Sequence, residues 1–162
     1  ERHGIRPVRR DRRLQLREAL HRQRDEHVEP VDELERELID LARRTIDATT
    51  DAGPDEDGVH TMGAAVRSAD GRMFAGVNLF HFTGGPCAEL VALGAARASG
   101  ATAVTHVVAV GNHGRGVCSP CGRDRQVFVD LHPDMRVVMP GEGGPVSVDA
   151  RDLLPLTYAR PE

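Results

Sequence analysis

The first regular pattern in the chain is a helical spacing of apolar side chains that starts just after Pro30. Apolar residues recur there at intervals of about three or four and would share one face of a helix. They are Val31, Leu34, Leu38, Leu41, Ala42 and Ile46. Asp32 and Glu35 have the spacing of a capping box, in which each side chain binds a backbone N–H of the first turn. The pattern predicts a helix over residues 32–48.

Further along, the pattern changes to short apolar segments separated by turns. Segments 60–68 and 72–80 flank the turn signal at 69–71, and this arrangement predicts an antiparallel hairpin. Later segments alternate between helical and strand-like character. The sequence predicts a helix over 88–98, a strand over 105–111, a helix over 121–131 and a strand over 135–140. Strands separated by helices imply an α/β fold whose sheet is covered on both faces.

The beginning of the chain differs in composition from the rest. Residues 1–29 contain nine arginines and few apolar side chains, among which Leu14, Leu16 and Leu20 could line one narrow helical stripe. Such a segment is typical of a solvated or partner-packing extension, and an arm that binds an anionic ligand is a further reading. We expect residues 1–30 to form an N-terminal extension that can become helical, and residues 31–162 to form the folded domain.

Charge and cysteine content narrow the function further. The chain of 162 residues has a formal charge of -4, and all 21 of its basic residues are arginine. Mild acidity argues against a nucleic-acid partner, and the absence of lysine excludes Schiff-base and P-loop chemistry. No apolar run reaches the roughly 20 residues of a membrane helix, and no signal core stands near the start. Three cysteines do not form a disulfide framework, so we expect a reducing, cytoplasmic setting.

Two short cysteine motifs follow strands and stand where the two later helices are expected to begin. Unpaired N–H groups at a helix N-terminus favour the thiolate form, which binds zinc. Cys121 and Asp124 are three residues apart and project from one face of the first turn, so they can share one ion. Cys87 and Glu89 are two apart, so one can ligate while the other reaches what the ion holds. That arrangement suits a metal-bound water beside a carboxylate.

The motifs resemble a known family. Cys-Ala-Glu followed roughly 30 residues later by Pro-Cys-x-x-(Cys) resembles the [HC]-x-E and P-C-x-x-C signature of the zinc-dependent cytidine deaminase superfamily. The stretches SADGRMFAGVNLFHFTGGPCAEL, SPCGRDRQVFVDLHP and RDLLPLTY are similar to its blasticidin S deaminase branch. The resemblance covers residues 32–162. It implies a catalytic domain folded as a three-layer α/β/α sandwich around a mixed sheet of about five strands, with Zn²⁺ as cofactor.

The resemblance implies roles for the residues of the motifs. Cys87 and Cys121 match zinc ligands. Glu89 matches the glutamate that takes a proton from the activated water, delivers one to the cytosine ring and passes it on to the departing ammonia. Asn78 matches the asparagine that holds the nucleoside sugar. The carbonyl of Ser119 is a candidate acceptor for the departing amine.

Three more residues belong to the expected substrate pocket. Tyr158 matches a C-terminal tyrosine that helps to close it. His60 stands at a strand start where cytidine deaminases often place an aromatic ring against the substrate, and a purely structural role is the alternative. Phe80 stands two residues after Asn78, where ordinary cytidine deaminases have an acidic side chain that contacts the sugar. Phe80 therefore disfavours cytidine itself as substrate.

Asp124 stands where the family has its third cysteine ligand. A carboxylate oxygen is an accepted zinc ligand, so a Cys₂Asp site is chemically sound. Ligation through a water, or an impaired site, are the alternatives. Cys118 lies before Pro120 on the loop side of the helix start. It is interpreted as a buried bystander thiol, an alternative ligand, or a redox partner of Cys121.

The activity implied by the resemblance is zinc-dependent hydrolytic deamination of the cytosine base of blasticidin S to the uracil form, which confers antibiotic resistance. Small enzymes of this kind build their pockets across subunits, so a homotetramer is also implied. The enzymatic alternative is a deaminase of cytidine or another cytosine nucleoside. A different class is a non-catalytic binding or assembly protein on the same fold, against which the intact Glu89 argues.

Overall fold

The computed structural model describes residues 28–158. The expectations for residues 1–27 lie outside this range. Three α-helices are present in the described part, namely α1 (Glu33–Thr49), α2 (Ala88–Ala98) and α3 (Gly122–Leu131), and a short 3₁₀ helix covers Ala150–Leu153. Seven strands accompany them, namely β1 (Glu29–Pro30), β2 (Met62–Ser68), β3 (Met73–Val77), β4 (Val104–Gly111), β5 (Gly116–Cys118), β6 (Arg136–Gly141) and β7 (Gly144–Asp149). None of these helices is long and apolar enough to cross a membrane.

Helix α1 begins where the sequence predicts. The Asp32 carboxylate accepts a hydrogen bond of 2.8 Å from the backbone N–H of Glu35, and the Glu35 carboxylate accepts one of 3.0 Å from that of Asp32. Both halves of the capping box are therefore formed. This local chemistry, which satisfies N–H groups that the helix leaves unpaired, fixes the first residue of α1.

The seven strands form one mixed sheet. Its order is β1-β7-β6-β4-β2-β3, with β5 paired beside β4. Strands β4 and β6 run parallel, and the other pairs are antiparallel. The expected three-layer fold with a mixed sheet is confirmed. The strand count exceeds the expected number of about five, in part because β1 and β5 are only two and three residues long.

Successive side chains of the central strands point to opposite faces of the sheet, and both faces are buried. One face packs against α2 and α3, and its buried strand residues include Ala64, Val66, Val107, Ala109 and Val137. The other packs against α1, and its buried strand residues are Ala65, Val108, Val110 and Val138. The continuous apolar run in β4 thus reflects a strand that is covered on both sides.

Two glycines let a helix approach the sheet closely. A Cβ on Gly63 would lie 2.5 Å from the carbonyl oxygen of Ala42 in α1. A Cβ on Gly76 would lie 2.5 Å from the backbone nitrogen of Ala92 in α2. Helix α2 therefore rests directly on β3, and this contact helps to determine where its first turn lies.

A polar cluster joins α1 to the edge of the sheet. Buried Glu35 accepts a hydrogen bond from the Ser147 hydroxyl of β7. Arg136 donates to the carbonyl of Ser147 at 2.8 Å, to Asp149 at 3.0 Å and to Glu29 at 3.1 Å. Glu29 and Pro30 pair with β7, so the sheet includes two residues of the expected N-terminal extension. The division of the chain at residue 30 stays a prediction.

We predict that Gly76→Ala destabilises the protein, because the added methyl group meets helix backbone that cannot rotate away. Overpacking of this kind costs about 1–3 kcal/mol. Gly94→Ala is the matched control, since a Cβ on Gly94 of α2 meets no atom within 4 Å. That variant should gain up to about 1 kcal/mol from helix propensity. Urea denaturation gives both free energies of unfolding, and equal stabilities of the two variants would contradict the prediction.

Candidate active site

Three potential metal ligands converge where α2 and α3 begin. Cys87 is the N-cap residue of α2 and Cys121 that of α3, and neither side chain forms a capping hydrogen bond. Their Sγ atoms lie 3.6 Å apart. The ligand atoms of Cys87, Cys121 and Asp124 all lie within 4.8 Å of one another. The first turns of two helices that share one face of the sheet thus bring together residues that are distant in sequence.

One oxygen of the Asp124 carboxylate is buried without a partner. The residue is 1% exposed, and its Oδ1 has no hydrogen-bond partner among the described residues. Leaving a buried polar group unsatisfied costs about 1–3 kcal/mol, and more for a charged group. A cation between this oxygen and the two sulfurs would supply the missing partner.

The donor set fits zinc in spacing and in charge. A tetrahedral ion with Zn–S bonds of about 2.3 Å holds two sulfurs about 3.8 Å apart, close to the separation seen here. Burial raises the pKa of Cys87 to about 12, and the neighbouring Asp124 and Cys121 add to the shift. The protein alone therefore disfavours several negative charges at this point. A divalent cation reverses that preference and allows the thiols to ionise.

Glu89 adds a second buried carboxyl group beside the ligands. It lies in the first turn of α2, is 6% exposed and faces the same pocket as Cys87 and Asp124. Burial raises the pKa of Glu89 to about 7, and the charge of Asp124 contributes. A carboxyl group whose pKa lies near neutrality can both accept and donate a proton under physiological conditions.

The ligands lie in a pocket of about 370 Å³. Its wall includes Asn78, Phe80 and Ser119 as well as Glu89 and the three ligand residues. The pocket therefore brings together the expected metal ligands, three residues that we expect to contact the substrate, and Glu89, the expected proton carrier. The remaining wall comes largely from the loop after β3, which contributes Leu79, His81, Gly84, Gly85 and Pro86.

Two expected substrate residues lie outside this wall. His60 approaches the backbone carbonyl of Asn78 with its Nδ1 at 2.6 Å, so its ring supports the loop that carries Asn78. Tyr158 is 72% exposed, and its backbone carbonyl accepts hydrogen bonds from Gln126 at 3.3 Å and from the Thr157 hydroxyl at 3.5 Å. The contacts of both residues with a substrate stay predictions.

Cys118 is separate from the ligand group. Its thiol donates to the carbonyl of Gly116 at 3.5 Å within β5. Cys87, Cys121 and Asp124 are the metal-ligand group found in the described residues, and Cys118 does not belong to it. This placement agrees with the bystander interpretation.

Sequence reasoning missed Arg123, which lies between two of the ligands. Its Nη2 donates to the carbonyl of Gly85 at 2.9 Å and lies 3.7 Å from the Sγ of Cys87. The guanidinium group thus joins the start of α3 to the loop before α2 and adds positive charge beside the thiols. Its position next to Asp124 was the only signal in the sequence.

Comparisons of the sequence and the fold with known proteins show what the chain is related to. No protein-family model matches the chain. The blasticidin-S deaminase of Bacillus cereus is 32% identical over 114 residues, which cover 65% of this chain and 81% of that protein.

Two crystal structures of cytidine deaminases have a similar fold. The enzyme of Mycobacterium leprae is 26% identical with a TM-score of 0.62, and 76% of this chain matches 99% of that one. The enzyme of Burkholderia pseudomallei is 30% identical with a TM-score of 0.61, and 76% of this chain matches 98% of that one. The chain is related in sequence to most of a deaminase, it has the fold of cytidine deaminases, and its two cysteine motifs converge at one site. The chain therefore belongs to the cytidine deaminase superfamily.

Proposed function

We propose that the protein is a zinc-dependent aminohydrolase that converts the cytosine base of blasticidin S to the uracil form and so confers resistance. One observation carries the proposal, namely that two thiols, an unpartnered carboxylate oxygen and the buried Glu89 share one pocket. The similarity to a blasticidin-S deaminase supports the choice of substrate. The pocket volume is within the range of small-molecule sites.

Cys87, Cys121 and Asp124 would hold the zinc. Three protein ligands are the usual number in catalytic zinc sites, which keep one position open. Bound zinc supplies a nucleophile at neutral pH by lowering the pKa of water. Two thiolates and one carboxylate carry three negative charges against two positive ones, and the nearby Arg123 offsets part of the excess.

Glu89 would move the protons of the reaction. Its carboxylate accepts a proton from the attacking water and delivers it to N3 of the cytosine ring, while the water oxygen bonds to C4. The glutamate then takes the remaining proton from the hydroxyl group on C4 and passes it to the exocyclic amine, the C4–N bond breaks, ammonia leaves, and C4 becomes the carbonyl carbon of the uracil form. The burial that raises the pKa of Glu89 to about 7 suits both directions of transfer. The carbonyl of Ser119 is our candidate acceptor for the amine.

Exposed apolar side chains at the rim of the pocket support the assembly of several copies of the chain. Leu79, Phe80 and Phe82 of the loop after β3 are 47%, 70% and 90% exposed. Apolar side chains at a pocket mouth are typical of a surface that another chain covers. With the family resemblance, this favours a homotetramer in which Tyr158 and the rim lie near a subunit boundary. The cysteine content supports a cytoplasmic location.

Cytidine is the second candidate substrate. It is favoured by the similarity to two cytidine deaminases and by the retained Asn78 in the pocket wall. Phe80 argues against it, because this side chain offers no acceptor for a sugar hydroxyl.

We predict that the zinc-loaded protein deaminates blasticidin S with a higher kcat/KM than cytidine. Loss of ultraviolet absorbance of the cytosine chromophore measures both rates, and metal content is determined on the same sample. A higher kcat/KM for cytidine would show that cytidine, and not blasticidin S, is the preferred substrate. Absence of turnover with either compound at full zinc occupancy would favour a non-catalytic binding protein.

We predict that Glu89→Gln keeps the fold and the zinc but loses turnover, because the amide cannot carry the proton. Loss of a general acid–base group typically lowers the rate by about 10²–10⁴-fold. Glu37→Gln, the same change on the exposed side of α1, should leave kcat unchanged. Near-normal activity of the Glu89 variant would exclude the proton-transfer role.

We predict that Asp124→Ala weakens zinc binding by more than about a hundredfold, since even an outer-shell partner is worth 10–100-fold. Asp124→Cys should retain the metal, because thiolate is an equally good zinc ligand. Asp130→Ala, an exposed position on the same helix, is the control. Competition with a chromophoric chelator measures the affinities, and full occupancy in Asp124→Ala would show that Asp124 is not a ligand.

A further inference from the structure

The thiols of Cys87 and Cys121 are close enough to react with each other. Their Sγ atoms lie 3.6 Å apart, whereas a disulfide bond joins two sulfurs at about 2.0 Å. The sulfurs must therefore approach by about 1.6 Å, the difference between these two distances. Neither side chain forms a capping hydrogen bond, so rotation of one toward the other breaks no helix cap. Side-chain motion at the start of two fixed helices is enough to join them.

Exposure gives the two thiols different roles. Cys121 is exposed, and Cys87 is only partly exposed. The susceptibility of a thiol to oxidation depends on its access to solvent, and oxidant-sensitive cysteines often have a second cysteine beside them that completes a disulfide. A small oxidant from solvent therefore reaches Cys121 first, and Cys87 is the second thiol.

Asp124 limits the site to two thiols. The family resemblance places a third cysteine at this position, and a thiol there would attack a neighbouring disulfide and exchange partners with it. A carboxylate cannot take part in such an exchange. Cys118, the remaining cysteine of the chain, donates to the carbonyl of Gly116 and lies outside the group that contains the other two. Oxidation at this site can thus give one defined disulfide.

The neighbouring acids favour the disulfide as the final product. Glu89 and Asp124 are buried in the wall of the same pocket. Oxidation of a single sulfur to a sulfinic acid would add a negative charge beside these carboxyl groups, whereas a disulfide is neutral. The disulfide also returns to two thiols on reduction, which a sulfinic acid does not.

We propose that a peroxide oxidises Cys87 and Cys121 of the metal-free protein to a reversible disulfide, and that this bond and a bound zinc ion exclude each other. The disulfide follows from the geometry of the thiols alone, and the exclusion of zinc rests on the proposed function. Zinc binds cysteine as thiolate, so the bond removes two of the three ligands. Oxidation then inactivates the metal site, and a thiol reductant restores it.

Hydrogen peroxide takes up the two electrons that the thiols lose. The Cys121 sulfur attacks one peroxide oxygen, an S–O bond forms, the O–O bond breaks, and the other oxygen leaves as water with the thiol proton. The Cys87 sulfur then attacks the Cys121 sulfur. The S–S bond forms, the S–O bond breaks, and the hydroxyl group leaves as a second water with the Cys87 proton. Two thiols and one peroxide thus give one disulfide and two waters.

Peptide mapping of the full chain tests the proposal. Protein freed of metal by a chelator is treated with equimolar hydrogen peroxide, denatured, alkylated at its remaining thiols and digested with trypsin. All basic residues are arginine, so Cys87 falls in peptide 73–97, and Cys118 and Cys121 fall in peptide 116–123. We expect these two peptides to be joined. The number of free thiols should fall from three to one.

Substitutions identify the sulfurs in the link. Cys118→Ser should still give the joined peptides, whereas Cys87→Ser and Cys121→Ser should not. Asp124→Cys adds a third thiol to the site and should give several pairings instead of one. Asp130→Cys is its control, because it adds a thiol at an exposed position on the same helix and should leave the native pairing as the main product.

Zinc binding provides a second measurement, independent of catalysis. The cross-linked chain should lose its zinc affinity in competition with a chromophoric chelator, and a thiol reductant should restore that affinity. Zinc present at about ten times its Kd leaves roughly a tenth of the molecules metal-free, so the joined peptides should then form about tenfold more slowly.

Several outcomes would overturn the inference. Three free thiols after treatment, a link through Cys118, or a sulfinic acid in place of the link would exclude the disulfide. Zinc binding by the cross-linked chain, or an unchanged rate of cross-linking in the presence of zinc, would exclude the competition. If the reduced protein did not bind zinc, the proposed function would fail together with the competition. The peptide map, made without metal, would still decide the disulfide.

Discussion

The candidate site depends on one packing constraint: two helices must begin within a few ångströms of each other on the same face of the sheet. Helix α2 meets this condition by resting on Gly76, where a side chain would collide with helix backbone. Helix α3 is held against the same core by the fully buried Phe128. The 3.6 Å between the sulfurs of Cys87 and Cys121 is the result. The two potential ligands are therefore positioned by the core of the domain rather than by a flexible loop.

The same constraint places several groups that can become negatively charged close to one another. Two thiols and the buried carboxyl groups of Glu89 and Asp124 line one pocket, where each negative charge disfavours the next. Burial is the main reason why the pKa values of Cys87 and Glu89 are raised, and the neighbouring charge of Asp124 adds to both shifts. Exchange of a family cysteine for Asp124 leaves the total charge unchanged but replaces a soft sulfur by a hard oxygen. The net charge that a bound divalent ion would leave is therefore the same for both ligand sets, and the exchange would change only the character of one bond.

Local chemistry explains which features were predictable. The capping box at Asp32 depends on residues within one helical turn, so the start of α1 could be predicted from sequence. The same is true of the helix face that Cys121 and Asp124 share at the start of α3. Strands β5 and β7 were missed because one is three residues long and the other contains glycine and proline, which strands avoid. Arg123 was missed because its importance comes from the contacts with Gly85 and Cys87 that only the folded chain supplies.

The separation of the ligands along the chain also links the metal to folding. Cys87 and Cys121 are 34 positions apart and precede different helices, with β4 and β5 between them. An unfolded chain would have to close that long loop before both could hold one ion, at an entropic cost that the native fold has already met. Bound zinc would therefore favour the native ensemble through mass action. The cellular supply of zinc would then act on the lifetime of the protein as well as on its catalysis.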